Sequence, residues 1–130
     1  MERWLHKRSD FIYSLMRLFV GVLFACHGAQ KLFGVLGAQP QTHNPKLLAA
    51  GLIELVGGGM VALGLRAGIA AFVASGEMAC AYFTAHAPSG FWPILNKGEL
   101  AVVYCFVMLY IASRGSGTLS ADRALGRKLG

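Results

Sequence analysis

Apolar residues gather into four blocks along this chain, roughly 11–34, 47–65, 67–88 and 98–113, with short polar punctuation between them. Each block comes close to the ~20 residues with which an α-helix crosses ~30 Å of hydrocarbon. The punctuation is that of helix ends. Leu65-Arg66-Ala67 is a tight turn, which makes spans two and three antiparallel neighbours. Asn44-Pro45 sets a helix start, with proline at or near the first helical position. The loop from Ala87 carries Phe91 and Trp92 as interface anchors, and Asn96 is placed to cap span four. Gly115-Ser-Gly-Thr118 breaks that span. Beyond it, Leu119–Leu129 reads as a short surface helix capped by Ser120, with Leu125 and Leu129 towards lipid. The pattern predicts an all-α integral membrane protein, an antiparallel four-helix transmembrane bundle. It is one membrane domain over residues 1–130, with 114–130 as a tail.

Composition agrees. The chain is 55% hydrophobic and 14% charged, against about a quarter charged in soluble domains. Its net charge of +6 is placed by topology: Arg3, Lys7 and Arg8 precede span one, Arg66 sits in the 2–3 turn, and Arg114, Arg123, Arg127 and Lys128 follow span four. The positive-inside rule then puts both termini in the cytoplasm, with the basic residues against anionic head groups. Nucleic acid is not an expected partner. Arg17 interrupts the first apolar run, and the run exceeds the ~7–15 residues of a signal-peptide core, so it reads as an uncleaved helix. Cys26, Cys80 and Cys105 form no Cys-x-x-Cys and read as small packing residues. No Cys/His set has metal, haem or iron–sulfur ligand spacing, so no metal is expected.

Against this background the ionisable residues inside the spans stand out. A carboxylate at the bilayer centre costs at least ~2.5 kcal/mol on insertion scales and normally faces the interior of a bundle. At 1.5 Å rise per residue, Glu54 and Glu77 fall within ~2 Å of the midplane. His27, Glu99 and Lys31 lie ~6, ~10 and ~12 Å towards the outside, and Arg17 ~9 Å towards the inside. Matching depth suggests a Lys31–Glu99 pair. Gly51, Gly57 and Gly58 share the Glu54 face and predict a close interhelical contact. Ala70, Ala74, Ala81 and Thr84 share the Glu77 stripe, with His86 nearly opposite. Arg17 has three destinations: the inner interface, Tyr110, or Asp122 on a folded-back tail. The sum is a polar pocket opening outward and ending at the two midplane carboxylates. The competing view is that these polar groups only hold helices together, at about 0.6 kcal/mol per interhelical hydrogen bond.

The series Arg17…His27-Gly28…Lys31-Leu32, then Gly51-Leu-Ile-Glu54-Leu-Val-Gly-Gly58, His86, Asn96-Lys-Gly-Glu99-Leu-Ala101 and Gly115-Ser-Gly…Leu119-Ser-Ala-Asp122 resembles the DoxX family. The resemblance covers residues ~11–123. It implies four antiparallel helices in a bacterial cytoplasmic (inner) membrane, and Arg17, His27, Lys31, Glu54, His86, Glu99 and Asp122 as motif positions. Glu77 rests on depth alone. Lys97 stands where many relatives have glycine and adds a cation beside Glu99.

The resemblance links the chain to thiosulfate:quinone oxidoreductases, to membrane complexes handling thiol and oxidative stress, and to quinone or catechol resistance. The leading expectation is a membrane subunit of an oxidoreductase or redox-stress system, itself non-catalytic or quinone-binding. It would hold a quinone-like lipophile among Glu54, Glu77, Lys31, Glu99 and His27. The alternatives are a scaffold or assembly factor for partner proteins, and a small proton-coupled transporter acting as a homo-oligomer.

Overall fold

The computed structural model describes residues 1–127; Lys128 and Leu129, given an inner-side and a lipid-facing role above, lie outside them. All the regular structure among the described residues is helical. A short lead-in, α1 (Glu2–Lys7), meets α2 (Ser9–Phe33) at Arg8, whose φ of −108° and ψ of 12° break the helix. Then come α3 (Pro45–Leu63) and α4 (Ala67–Ser89). A single turn, α5 (Pro93–Asn96), precedes α6 (Glu99–Arg114), and α7 (Ala121–Ala124) closes the tail. Three of these, α2, α3 and α4, are long and apolar enough to cross a membrane. The fourth, α6, has 16 residues, about 24 Å of rise.

The helix ends follow the local chemistry. Asn44 accepts a hydrogen bond from the Lys46 N–H, with Pro45 at the first helical position. Ser120 caps α7 by accepting from Arg123 N. Asn96 does not cap α6 from the N-cap position, which Gly98 occupies; its Oδ1 instead accepts from Gly98 N at 2.8 Å. At Gly64 a left-handed backbone (φ 71°) ends α3, and a Cβ there would come 2.5 Å from that of Ser120, so only glycine fits the turn.

α2 and α3 meet backbone to backbone. A Cβ on Gly21 would lie 2.6 Å from the Gly58 carbonyl oxygen, and one on Gly28 would lie 2.6 Å from that of Gly51. Residues rising along α2 therefore meet residues falling along α3, so the two run antiparallel. Of the glycines predicted around Glu54, Gly51 and Gly58 form this seam, whereas Gly57 faces Ala70 of α4. α4 is joined to α6 differently, through interleaved side chains. Ala67, Ala71 and Ala74 are buried beside Met108, Ile111 and Tyr104, and Ser75 Oγ donates to the Cys105 carbonyl at 2.7 Å. The outward surface is the reverse of a soluble protein's: Phe19, Phe72 and Phe106 are 61%, 66% and 64% exposed. Apolar surface on this scale belongs against lipid.

One end of the molecule is tied together by the tail. Arg17, 3% exposed, donates from Nε to Val61 O at 2.9 Å and from Nη2 to Leu119 O at 2.8 Å, and its Nη1 donates to Ser116 O. Asp122 Oδ2 accepts from Arg66 N at 2.7 Å and from Ser116 Oγ at 2.6 Å, while Ser116 Oγ accepts from Ala67 N. Tyr13 donates to Gly115 O at 2.6 Å. The tail folds back onto Arg17 as one of the three expectations had it. The guanidinium, however, takes backbone carbonyls, and the Asp122 carboxylate goes to the α3–α4 turn.

Candidate functional site: a polar-ended cavity between the helices

The opposite half of the molecule contains a cavity of about 800 Å³. Its walls come from α2, α3, α4 and α6, and most are apolar: Phe24, Ile53, Val73, Met78, Leu100 and several alanines. The volume is within the range of small-molecule pockets, ~300–1,000 Å³. Its polar lining comprises His27, Lys31, Glu54, Glu77, Thr84 and Tyr104, with Asn44, Lys46, His86 and Lys97 from the loop-side ends of the helices.

Glu54 is 1% exposed and sits in a wide helical turn, Ile53–Gly57, in the middle of α3. Such turns with i→i+5 bonding are single-turn insertions that recur at functional sites. Lys31 Nζ donates to both of its oxygens, at 2.9 Å to Oε1 and 2.6 Å to Oε2. The Lys31 side chain is a quarter exposed and that of Glu54 nearly sealed, so the pair is buried at its anionic end. Glu77, from α4, faces the same space, and Glu54 and Lys31 are the charged groups that act on it. Its Oε2 is sealed, and its carboxyl group lies within hydrogen-bonding reach of that of Glu54. Tyr104, from α6, closes the floor, its ring 5.2 Å from that of Phe24 and 5.9 Å from that of His27.

The structure places Glu54, Glu77, Lys31 and His27 around one cavity. It corrects the Lys31–Glu99 pair. Lys31 is engaged by Glu54, and Glu99 is exposed at the first turn of α6, outside the cavity wall. His86 also changes place. A second wide turn, Tyr82–His86, advances less angle per residue than an α-helix and carries His86 round to the cavity side. Its Nδ1 lies 3.2 Å from Asn96 O, and it stands near Lys97 at the mouth. Arg17 and Asp122 belong to the far end and take no part in the cavity.

Tyr104 was missed by the sequence reading. A tyrosine near the middle of an apolar span carries a hydroxyl where hydrocarbon offers it no partner, and that signal would have found it.

The three cysteines are free thiols, with Cys80 on the cavity wall. Chemically, the site accommodates a mostly apolar molecule whose polar end meets a carboxylate–ammonium pair with a second carboxyl group beside it.

Fold and site together define a small helical membrane protein with a ligand-sized cavity among its spans. The DoxX family model matches residues 12–87, more than half of the sequence, and the chain belongs to the DoxX family. It is 37% identical over 131 residues to a protein of Haemophilus influenzae described as uncharacterized, a match covering 95% of this chain and 98% of that relative. No solved structure matches it.

Proposed function

We propose that this chain is a membrane subunit of an oxidoreductase or redox-stress system, holding a quinone-class lipophile in the α2–α3–α4–α6 cavity. In this reading α6 crosses with the three longer helices as an antiparallel four-helix bundle of the bacterial inner membrane. Both termini, with Arg66 and the tail, lie on the cytoplasmic side, and the cavity opens to the other. The supporting observation is the cavity itself: apolar walls sized for a ring with a hydrocarbon tail, and one polar end made by Lys31, Glu54 and Glu77. A quinone needs that combination, because its ring and tail are lipophilic and its two oxygens are not. Electron delivery falls to a partner subunit, which the family resemblance also implies.

Native mass spectrometry of the protein extracted from its own membrane tests this. A co-purifying quinone, lost in Glu54→Gln with helix content unchanged, supports it. A protein partner retained with no lipophile in either form overturns it in favour of a docking role.

A further inference from the structure

Two lysines stand on the cavity rim, Lys46 at the start of α3 and Lys97 just before α6. Neither ammonium is paired with a carboxylate among the described residues. Glu99, close beyond Lys97 in the chain, lies outside the cavity wall and makes no ion pair with it. His86 shares the rim, but its Nδ1 is held on Asn96 O at 3.2 Å.

Both cations sit where the fold disfavours them. Lys46 is in the first turn of α3, at the positive end of the helix dipole, where a carboxylate is favoured instead. Lys97 holds a left-handed backbone, φ 63°, that glycine adopts without strain. In the orientation proposed above they also face the outer side, against the bias that keeps lysine and arginine inside. They are the only lysines or arginines in the two outer loops. Residues that break local rules in this way are expected at functional sites.

What the two positions add is positive charge at one level of the cavity. Deeper in, Lys31 is engaged by both oxygens of Glu54, so the rim holds the cations that have no partner. Between Lys46 and Glu54 lies ~12 Å of helix rise.

Resting on the quinone-class reading above, we infer that the rim is an anion subsite. The ligand ends there in a carboxylate or phosphate held by Lys46 and Lys97, with its ring ~12 Å deeper at the Lys31–Glu54 end. A chain ending in hydrocarbon would leave both ammoniums unanswered. Ion pairs at exposed positions contribute modestly, so two of them favour an acid over its neutral ester by about five-fold. Salt at about 1 M should remove most of that preference by screening.

The test uses the full chain in phosphatidylcholine nanodiscs, with empty discs as the blank for partition into lipid. Two probe pairs are titrated: a benzoquinone carrying a hexanoic acid chain and its methyl ester, then decanoate and its methyl ester. Each acid is expected to bind about five-fold tighter than its ester. Lys46→Gln combined with Lys97→Gln should bring that ratio to within about two-fold of one. Lys97→Gly, which relieves the backbone, should lower the ratio with no fall in melting temperature.

Equal binding of acid and ester to the wild type overturns the subsite and leaves the quinone-class reading standing. A preference that survives the double variant overturns the assignment to these lysines. If decanoate binds through the lysines and neither benzoquinone binds, the quinone-class reading fails and the subsite stands. Binding of neither pair overturns both. Phosphatidylglycerol added to the discs separates the sources of the anion. Competition with the acid, lost in the double variant, assigns the subsite to a lipid head group, and its absence assigns it to a free acid.

Discussion

Lys31 of α2 holds both carboxylate oxygens of Glu54 of α3 across a seam where the two backbones touch at Gly28 and Gly51. Cation and seam depend on one another, because the ammonium reaches the carboxylate only if the helices approach this closely. Removing the cation leaves a sealed carboxylate uncompensated, which costs about 3–5 kcal/mol in fully buried pairs. With Lys31 a quarter exposed, Lys31→Met should cost about 2–3 kcal/mol. Adding Glu54→Leu should recover more than half of it. Denaturant unfolding in mixed micelles measures both; equal losses in single and double variants contradict the coupling.

The seam itself separates glycines by position. Gly21→Ala, Gly28→Ala and Gly58→Ala each drive a Cβ into the opposing backbone, and overpacking of this kind costs about 1–3 kcal/mol. Gly59→Ala and Gly76→Ala meet open space and should be neutral or slightly stabilising. Thermal unfolding of the five variants side by side decides it.

Lys97 holds a left-handed backbone, φ 63°, just before α6. An L-residue is disfavoured there by about 1–2 kcal/mol, and glycine is not. Lys97→Gly should therefore stabilise the chain by about 0.5–1 kcal/mol after glycine's larger loss of chain entropy. A fall in melting temperature would contradict this.

The tail clasp depends on pH through Asp122. Its hydrogen bond from Ser116, followed by the Arg66 N–H and the nearby Arg127, holds the carboxyl below the usual range. The folded value lies beneath the unfolded ~3.9, so the contribution is fully present above that. It is lost as pH falls through the folded value. Hydrogen exchange at the Ser116 and Asp122 amides should be level from pH 7 to about 5 after correction for intrinsic rates, then quicken in acid. Asp122→Asn should show the quickened rate at every pH.

Arg17 satisfies three carbonyls, on α3 and on the tail, from inside the helix assembly. Arg17→Lys keeps the charge but has no planar fork to reach all three. It should leave the tail open to trypsin at Arg123, several-fold faster than in wild type.

The apolar blocks made the helices legible to within a few residues at either end, because hydrophobic length and turn chemistry act locally. Glu54 was legible too, by depth and by its glycine face. The Lys31 partner was not. Depth was measured at Cα, whereas Cα–Cβ bonds tilt towards each helix's N-terminus. In antiparallel α2 and α3 that tilt brings Lys31 and Glu54 towards each other, and at the start of α6 it carries Glu99 outward. His86 was misplaced for a related reason, since a uniform 100° step misses the wide turn at Tyr82–His86. The Arg17 clasp was beyond reach because its acceptors are backbone carbonyls, which leave no mark in a sequence.

The two unlike seams also have a mechanical meaning. α2 and α3 are welded at their glycines into one pair, and α4 and α6 are interleaved into another. The pairs are joined at two levels: Arg17, Ser116 and Asp122 tie them at the tail end, and Phe24 and His27 of α2 pack on Tyr104 of α6 beside the cavity. The cavity is thus a gap between two firmly made pairs, with Glu54 on one wall and Glu77 on the other, and its shape is set by how the pairs are tied rather than by any one helix.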